Sequence, residues 1–413
     1  MFDVHYFSAE KLRDYPNGTF SELEQKIPVS ALDVQRVENI KFDEMVIPAR
    51  PDVGAPNVRV TSREEYREKT GLVFDGEQAA ALQWVDALGN AGGTQDISMV
   101  YINIIGVPSG GQAGGFRGVG QIADVRVLHH ELGHAMGLPH WEQNFQYPYR
   151  GDMYGIESRK STSTHAGPVW GFDLSQNRFL PPTVREGFVN KYNVNPSDVL
   201  GKYTLDPMDL GGGGTGEQPE GFILRHFSDY SVQRMQQYIS NRLHVLRDGN
   251  YFRWSAVTQN YSTAADANLI GIRFPMPETI GQPIVSVMIA ASLADLDLNM
   301  IYPPIGPYIG NRVLTFDPTL PDDIIAADEV SFCQAEGCDF TIEVTQGSVL
   351  KRFMLNASAS YSDDRFDKNA LNTMAVNLDA SQGEISAISL YHTPDVNIQG
   401  FSDPELLASW TLE

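Results

Sequence analysis

Four of the nine histidines in this 413-residue chain fall within residues 129–140, "HHELGHAMGLPH", with one glutamate and two glycines among them. A helix brings residues i and i+4 onto one face, about 5–6 Å apart. His130 and His134 stand in that relation, so both imidazoles can reach one ion. Glu131 points to one side of that face, where it can sit beside a metal-bound water without displacing a ligand. Gly137 can take the left-handed backbone that ends a helix and turns the chain. Pro139 restrains the returning segment, and His140 arrives where a third ligand is needed. Three neutral imidazoles leave one tetrahedral position open on zinc, and an open position separates a catalytic site from a structural one. Zinc lowers the pKa of its water toward about 7 and polarises a carbonyl. Glu131 is then placed to accept the water's proton as general base and pass it to a leaving amine. The chemistry expected is metal-assisted peptide hydrolysis, with zinc as cofactor and His130, His134 and His140 as its ligands.

The pattern His-Glu-x-x-His-x-x-Gly-x-x-His is the metzincin zinc signature. The bland reading is an amphipathic helix carrying satisfied histidines, but His130, Glu131 and His134 are poor residues for a buried face without a metal. A zinc protease with a glutamate as third ligand would draw that ligand from a later helix, whereas here His140 is already in place. His129 points away from the ligand face and reads as a histidine behind the ligands or at the surface. His5, His165, His226, His244 and His392 have no partner at ligand spacing and read as structural or exposed.

Elements that would position this cluster are legible on either side. "TSREEYREKTG" opens with Ser62 and has Glu65 three positions on, a capping-box pattern, with Gly71 to end the helix. "GEQAAALQWVDALGN" reads as a second helix stopping near Gly89. "ISMVYINIIG" (97–106) reads as a strand, and its "MVYINI" is a candidate edge for an extended peptide to pair with. "PSGGQAGGFRGVGQ" (108–121) has no lysine to close a phosphate loop and reads as a mobile loop or flap at the cleft rim. "TVREGFVNKYN" reads as a short helix and residues 228–248 as a longer one, with Val232, Met235, Ile239 and Leu243 on one face. Beyond about residue 250, "NLIGIRF", "PIVSVMIA", "FTIEVT", "SVLKRFMLNA", "TMAVNL" and "ISAISLYH" are short strands separated by turn residues, the spacing of a β-sandwich. The fold expected is α+β: a metzincin-type catalytic domain of mixed sheet and helices over residues 1–249, then an all-β, sandwich-like domain over 250–413.

Bulk composition narrows the partners. Fifty-two acidic against 30 basic residues give a formal charge of −22, a field that repels nucleic acid and anionic membrane. No apolar run approaches the roughly 18 residues of a membrane span. The first eighteen residues have no basic start followed by an apolar core and do not read as a signal peptide. The two cysteines, Cys333 and Cys338, are close enough for one short-loop disulfide, which points to an oxidising compartment. "DLDLN" and "DDRFD" are acidic but match no calcium-loop spacing. The sequence leaves the oligomeric state open.

The zinc signature, with "TLDPMDLGGGG" and "VWGFDLSQNRFLPP" downstream, resembles the StcE/TagA-type metzincins over roughly the first 250 residues. That resemblance implies a secreted bacterial zinc protease acting on mucin-type O-glycosylated proteins. It also implies a methionine turn beneath the zinc. Met208 in "DPMDLGG" fits that turn, with Met153 as rival and an ordinary turn methionine as the plain alternative. Leu210 stands where some metzincins place a tyrosine, so oxyanion donors are sought among Tyr147, Tyr149, Tyr154 and Tyr230 or left to the metal. Trp141 and Trp170 are candidate platforms for sugar or peptide, with core packing the commoner fate of tryptophan. Two other functions stay open: a broad-specificity metzincin indifferent to glycans, and a glycan-binding adhesin whose protease part is vestigial. The intact Glu131 argues against the second.

Overall fold

The computed structural model describes residues 1–412 apart from 73–76, 94–98, 107–109, 116, 169, 175–176, 187–188, 191–194, 210–216, 219–223, 242, 246–250, 256, 264–276, 334–336 and 358–361. The chain is a mixed α+β fold with several sheets. The first is five-stranded: β1 (Phe2–His5) and β2 (Val37–Lys41), then, beyond the hairpin of β3 (Met45–Ile47) and β4 (Val58–Val60), β5 (Val100–Ile105), β6 (Gly111–Gly114) and β7 (Arg117–Gln121). Its order is β2-β1-β5-β7-β6, parallel except for β6, which runs antiparallel to β7 along one edge. Every side chain of β5 is buried, as expected for a parallel strand covered on both faces. Strand β5 is therefore interior, and the expectation that "MVYINI" forms an open edge is corrected. The glycine-rich stretch read as a mobile loop instead supplies the edge strand β6 and its inner neighbour β7.

Helices α1 (Thr19–Lys26), α2 (Arg63–Thr70), α3 (Glu77–Ala91) and α4 (Val125–Ala135) accompany this sheet. In α2 the Ser62 side chain accepts the Glu65 N–H, and Gly71 closes the helix at φ 75. Helix α3 runs through Gly89 to Ala91, slightly past the expected stop. "TVREGFVNKYN" is not a helix where it is described: Val189 and Asn190 pair with Glu217 and Gln218 instead. The long helix expected over 228–248 ends at Ser240, where Asn241 caps it, and Leu243–Val245 turns into a strand. That strand pairs with Tyr251–Ser255, and the strand ladder takes Leu243 off the helical face.

Beyond residue 276, a pair of four-stranded sheets face one another. Pro277–Ala291 is paired with Met300–Ile301, Ile305–Val313 and Asn372–Asp379, while Phe340–Gln346 is paired with Val349–Leu355 and Ile385–His392, which holds Glu405–Thr411. Val287, Ile289, Val376 and Leu378 from the first sheet pack with Phe340, Ile342, Ile388 and Leu390 from the second. "NLIGIRF" lies outside the described residues. A helix at Pro321–Glu329 and the strands at 305–313 and 405–411 were not anticipated. Cys333 and Cys338 are disulfide-bonded, with Cα atoms 5.4 Å apart.

The N-terminal and β-rich regions share a core. Phe42 and Trp84 pack on Tyr302 at 4.8 and 5.8 Å, and Phe2 meets Tyr308 edge-on at 5.2 Å. Each ring buried there contributes roughly 2–3 kcal/mol. The Tyr302 hydroxyl accepts the Val46 N–H at 3.1 Å. The Asn57 amide donates to the carbonyls of Arg365 and Asp367.

Candidate active site

Helix α4 starts at Asp124, whose side chain accepts the N–H groups of Arg126 and Val127, satisfying donors that would otherwise be orphaned at the helix start. It ends at Ala135, and the chain reverses at Gly137, φ 81, where a Cβ would lie 2.7 Å from the Tyr238 ring. Only glycine fits that backbone and that space. Leu138 N–H returns to the Gly133 carbonyl at 3.0 Å, closing the helix, while the Leu138 carbonyl accepts from His134 Nδ1 at 2.6 Å. The same reversal thus ends the helix, fixes one imidazole and carries the chain to His140.

His130, His134 and His140 converge. Their Nε2 atoms form a triangle with every side 3.1 Å. His130 Nδ1 is bonded to the Pro207 carbonyl at 2.5 Å. With Nδ1–H of His130 and of His134 each donated to a carbonyl, both Nε2 atoms are bare lone pairs. Lone pairs crowded this closely repel unless a cation lies among them. Tetrahedral nitrogen ligands on zinc stand about 3.3 Å apart, close to what is seen. Burial pushes the His130 imidazole down to about 4, and burial also lowers His134 and His140, so the set is neutral at pH 7, as ligands must be. Among the described residues this is the one group of histidines, cysteines and carboxylates close enough to hold a metal ion. Three imidazoles with an open side fit zinc better than a hard, oxygen-seeking cation.

Glu131 is buried, and burial alone pushes its carboxyl up to about 8. Its Oε2 has no hydrogen-bond partner among the described residues, so the carboxylate is available to something that enters the site. The first residue of edge strand β6 lies against it: a Cβ on Gly111 would fall 2.7 Å from Glu131 Cγ and 2.6 Å from the Val119 carbonyl oxygen. This contact was not anticipated, although the density of glycine in 108–121 was its signal. Tyr101 fills the room left by Gly118 and Gly120 on the neighbouring strand.

Met208 is fully buried, and its Sδ occupies the place that a Cβ on Gly133 would take. Its carbonyl accepts the Trp141 N–H at 3.0 Å. Met208, and not Met153, therefore lies under the helix. Trp141 is 0% exposed, stacked on Tyr147 at 4.8 Å with its indole N–H on Ser231. The expectation of Trp141 as a substrate platform is corrected: this ring is core, because its polar handle is satisfied internally and no face is open. Tyr230 packs edge-on against Trp141, and its hydroxyl accepts from Arg234. Tyr147 bonds Asp206 and Tyr149 bonds Asp229. Trp170 is half-exposed, with the Arg185 guanidinium 5.2 Å from its ring and exposed Phe172 and Phe179 beside it. His129 is buried rather than superficial, edge-on to Phe227 at 4.5 Å. His165 stacks on Tyr203, and His5 and His392 bond elsewhere. The acids of "DLDLN" and "DDRFD" cap turns: Asp295 accepts the Asp297 N–H, and Asp364 that of Phe366.

Three converging imidazoles with an unpartnered carboxylate oxygen beside them are the equipment a metallopeptidase needs. Residues 4–244 match the peptidase M66 family, and the chain belongs to that family of metallopeptidases. Dictomallein of Burkholderia mallei is 30% identical over 427 residues, 92% of this chain and 59% of that protein, and dictomallein of Burkholderia pseudomallei is equally similar. Dictomallein-1 of Dictyostelium discoideum is 26% identical over 362 residues, 81% of this chain and 58% of its own length. The chain thus spans rather more than half the length of these curated relatives. No helix among the described residues is long and apolar enough to cross a membrane, and the disulfide is compatible with an extracellular protein.

Proposed function

We propose that this metallopeptidase is a zinc-dependent endopeptidase of metzincin type that cleaves mucin-type O-glycosylated proteins outside the cell. The observation that carries the reading is the equilateral set of imidazole nitrogens with the unpartnered Glu131 carboxylate beside it. A zinc ion bound there supplies Lewis acidity, polarising a carbonyl and making water acidic near neutral pH. Glu131 takes the proton of the attacking water and returns it to the leaving amine. Burial makes the ionised carboxylate a stronger base than an exposed one, and the positive charge of a dication on the three imidazoles would keep it ionised until it accepts that proton. The Pro207 and Leu138 carbonyls orient His130 and His134, and Met208 packs beneath them. Strand β6 is the edge on which an extended peptide can pair, next to Glu131 through Gly111.

The glycan requirement rests on the resemblance of "TLDPMDLGGGG" and "VWGFDLSQNRFLPP" to mucin-cleaving metzincins, and on the exposure of Trp170. Trp170 is a candidate sugar contact, and Tyr230 is a weaker one because its hydroxyl is already engaged. The shared core with the β-rich region supports a bracing role for residues 250–413. The test compares cleavage of an O-glycosylated mucin before and after deglycosylation, with casein alongside. The proposal requires that deglycosylation abolish cutting. Equal cutting of casein and both mucins would replace it with a sugar-indifferent protease, and mucin binding without any cutting would favour an adhesin.

A further inference from the structure

We propose that Arg150 is a positioning residue of the metal centre: its guanidinium gathers the carbonyls of the turn that follows His140 and so fixes where this third imidazole stands. The inference rests on the reading of the three histidines as that centre.

His130 and His134 belong to one helix, and a carbonyl orients each ring. His140 lies outside that helix, and among the described residues its ring bonds to no carbonyl. Its Nε2 nevertheless stands 3.1 Å from each partner. Ligating groups have to be held to within about 0.5 Å, so the backbone around His140 must supply the aim. On one side the reversal at Gly137 and Leu138 does so. On the other the chain enters a single helical turn, Trp141–Gln143, and so short a turn leaves carbonyls without helical partners.

Arg150 takes up those carbonyls. Its Nη2 donates to the Trp141 carbonyl, to that of Glu142 at 2.9 Å and to that of Asn144 at 2.8 Å. One nitrogen with two hydrogens serves three acceptors, which closes the turn around it. A cation at the end of a helical turn also meets the negative end of its peptide dipoles. Carbonyls, not a carboxylate, are the hydrogen-bond partners of Arg150 among the described residues. The Phe145 ring lies 5.3 Å from the guanidinium and covers it from the solvent side.

Both ends of this link are anchored. Arg150 forms an antiparallel bridge with Thr164, and the Gly151 N–H beside it donates to the Ser163 carbonyl at 3.1 Å. Trp141 has its N–H on the Met208 carbonyl, its indole on Ser231 and its ring on Tyr147. Arg150 adds the fourth restraint, on the Trp141 carbonyl, and His140 is one peptide bond away. The turn after the third ligand is thereby tied to a segment more than twenty residues further along the chain.

The test is zinc affinity, measured by chelator competition at fixed pH and ionic strength, below the melting temperature of each metal-free protein. Arg150→Met keeps a stem beneath Phe145 and removes every donor. The expected result is zinc binding about tenfold weaker than wild type, the lower end of what losing an orienting partner costs. Charge alone acts in the opposite direction, because removing a cation near a dication favours the dication, so weaker binding reports geometry. Cobalt(II) in place of zinc reads that geometry through its visible absorption, and its bands should change in Arg150→Met. Arg150→Lys, whose ammonium offers three donors on a shorter stem, should lie between the two in affinity and spectrum. Wild-type zinc affinity or an unchanged cobalt spectrum in Arg150→Met overturns the inference, whatever happens to the melting temperature. If Arg150→Met does not fold, Arg150→Gln takes its place, and wild-type affinity there overturns it. A wild-type protein that takes up neither zinc nor cobalt removes the metal reading as well, so the two failures are distinguishable.

Discussion

Gly111 lies directly against Glu131: the edge strand approaches this residue of helix α4 so closely that a single added carbon would stand 2.7 Å from Glu131 Cγ. The edge of the sheet and the Glu131 carboxylate are therefore one mechanical unit. Gly111→Ala should destabilise the fold by about 1–3 kcal/mol and lower kcat more than it raises KM, with zinc retained. Calorimetry, steady-state kinetics and metal analysis on one preparation check this. Unchanged kcat would mean that Glu131 is free to move aside.

Met208 fills the hollow left by Gly133 under the helix. Met208→Ala should cost about 2–5 kcal/mol through the cavity it leaves. Gly133→Ala should be destabilising through overpacking, and Met208→Ala should partly relieve that cost in the double variant. Additive losses measured by urea unfolding would separate the two residues.

Some of this was open to sequence reading, and particular residues show why. Ser62, Glu65 and Gly71 mark a helix because capping is local. The spacing of His130, His134 and His140 is informative because helix periodicity converts it directly into distance. The glycines at 111, 118 and 120 were misread as looseness. They are the reverse: strand positions emptied of side chains so that Glu131 and Tyr101 can come close, a fact that resides in neighbours far along the chain. Trp141 was ambiguous for the same reason, since only tertiary packing decides whether an indole meets solvent or Tyr147. Leu243 fits a helical face by period, and its pairing with Arg253 overrides that.

Asp206 makes stability depend on pH in a definite direction. Burial pushes its carboxyl up to about 6 from 3.8. A raised folded-state value means that the folded chain keeps a proton the unfolded chain has lost. The resulting contribution is complete below about pH 4 and disappears as pH rises through 6, a change of about 3 kcal/mol. In metal-free protein, wild type should lose stability relative to Asp206→Asn between about pH 4 and 7. Parallel pH profiles from denaturant titrations would contradict it.

The shared core predicts that the β-rich region steadies the catalytic one. Tyr302→Phe removes the acceptor of the Val46 N–H and leaves that donor buried, at a cost of about 1–3 kcal/mol. Hydrogen exchange should speed up at Val46 and its neighbours in β3. Exchange that accelerates only near residue 302 would uncouple the two regions.

The central claim is the metal centre, and the most direct measurement is zinc content per chain by mass spectrometry, paired with peptide cleavage. Wild type should carry about one zinc. His130→Ala and His140→Ala should each lose metal and activity together. Glu131→Gln should keep the zinc and lose cleavage by a factor of about 10²–10⁴. Wild-type protein that cleaves without zinc, or a Glu131→Gln variant that cuts as well as wild type, would contradict the account.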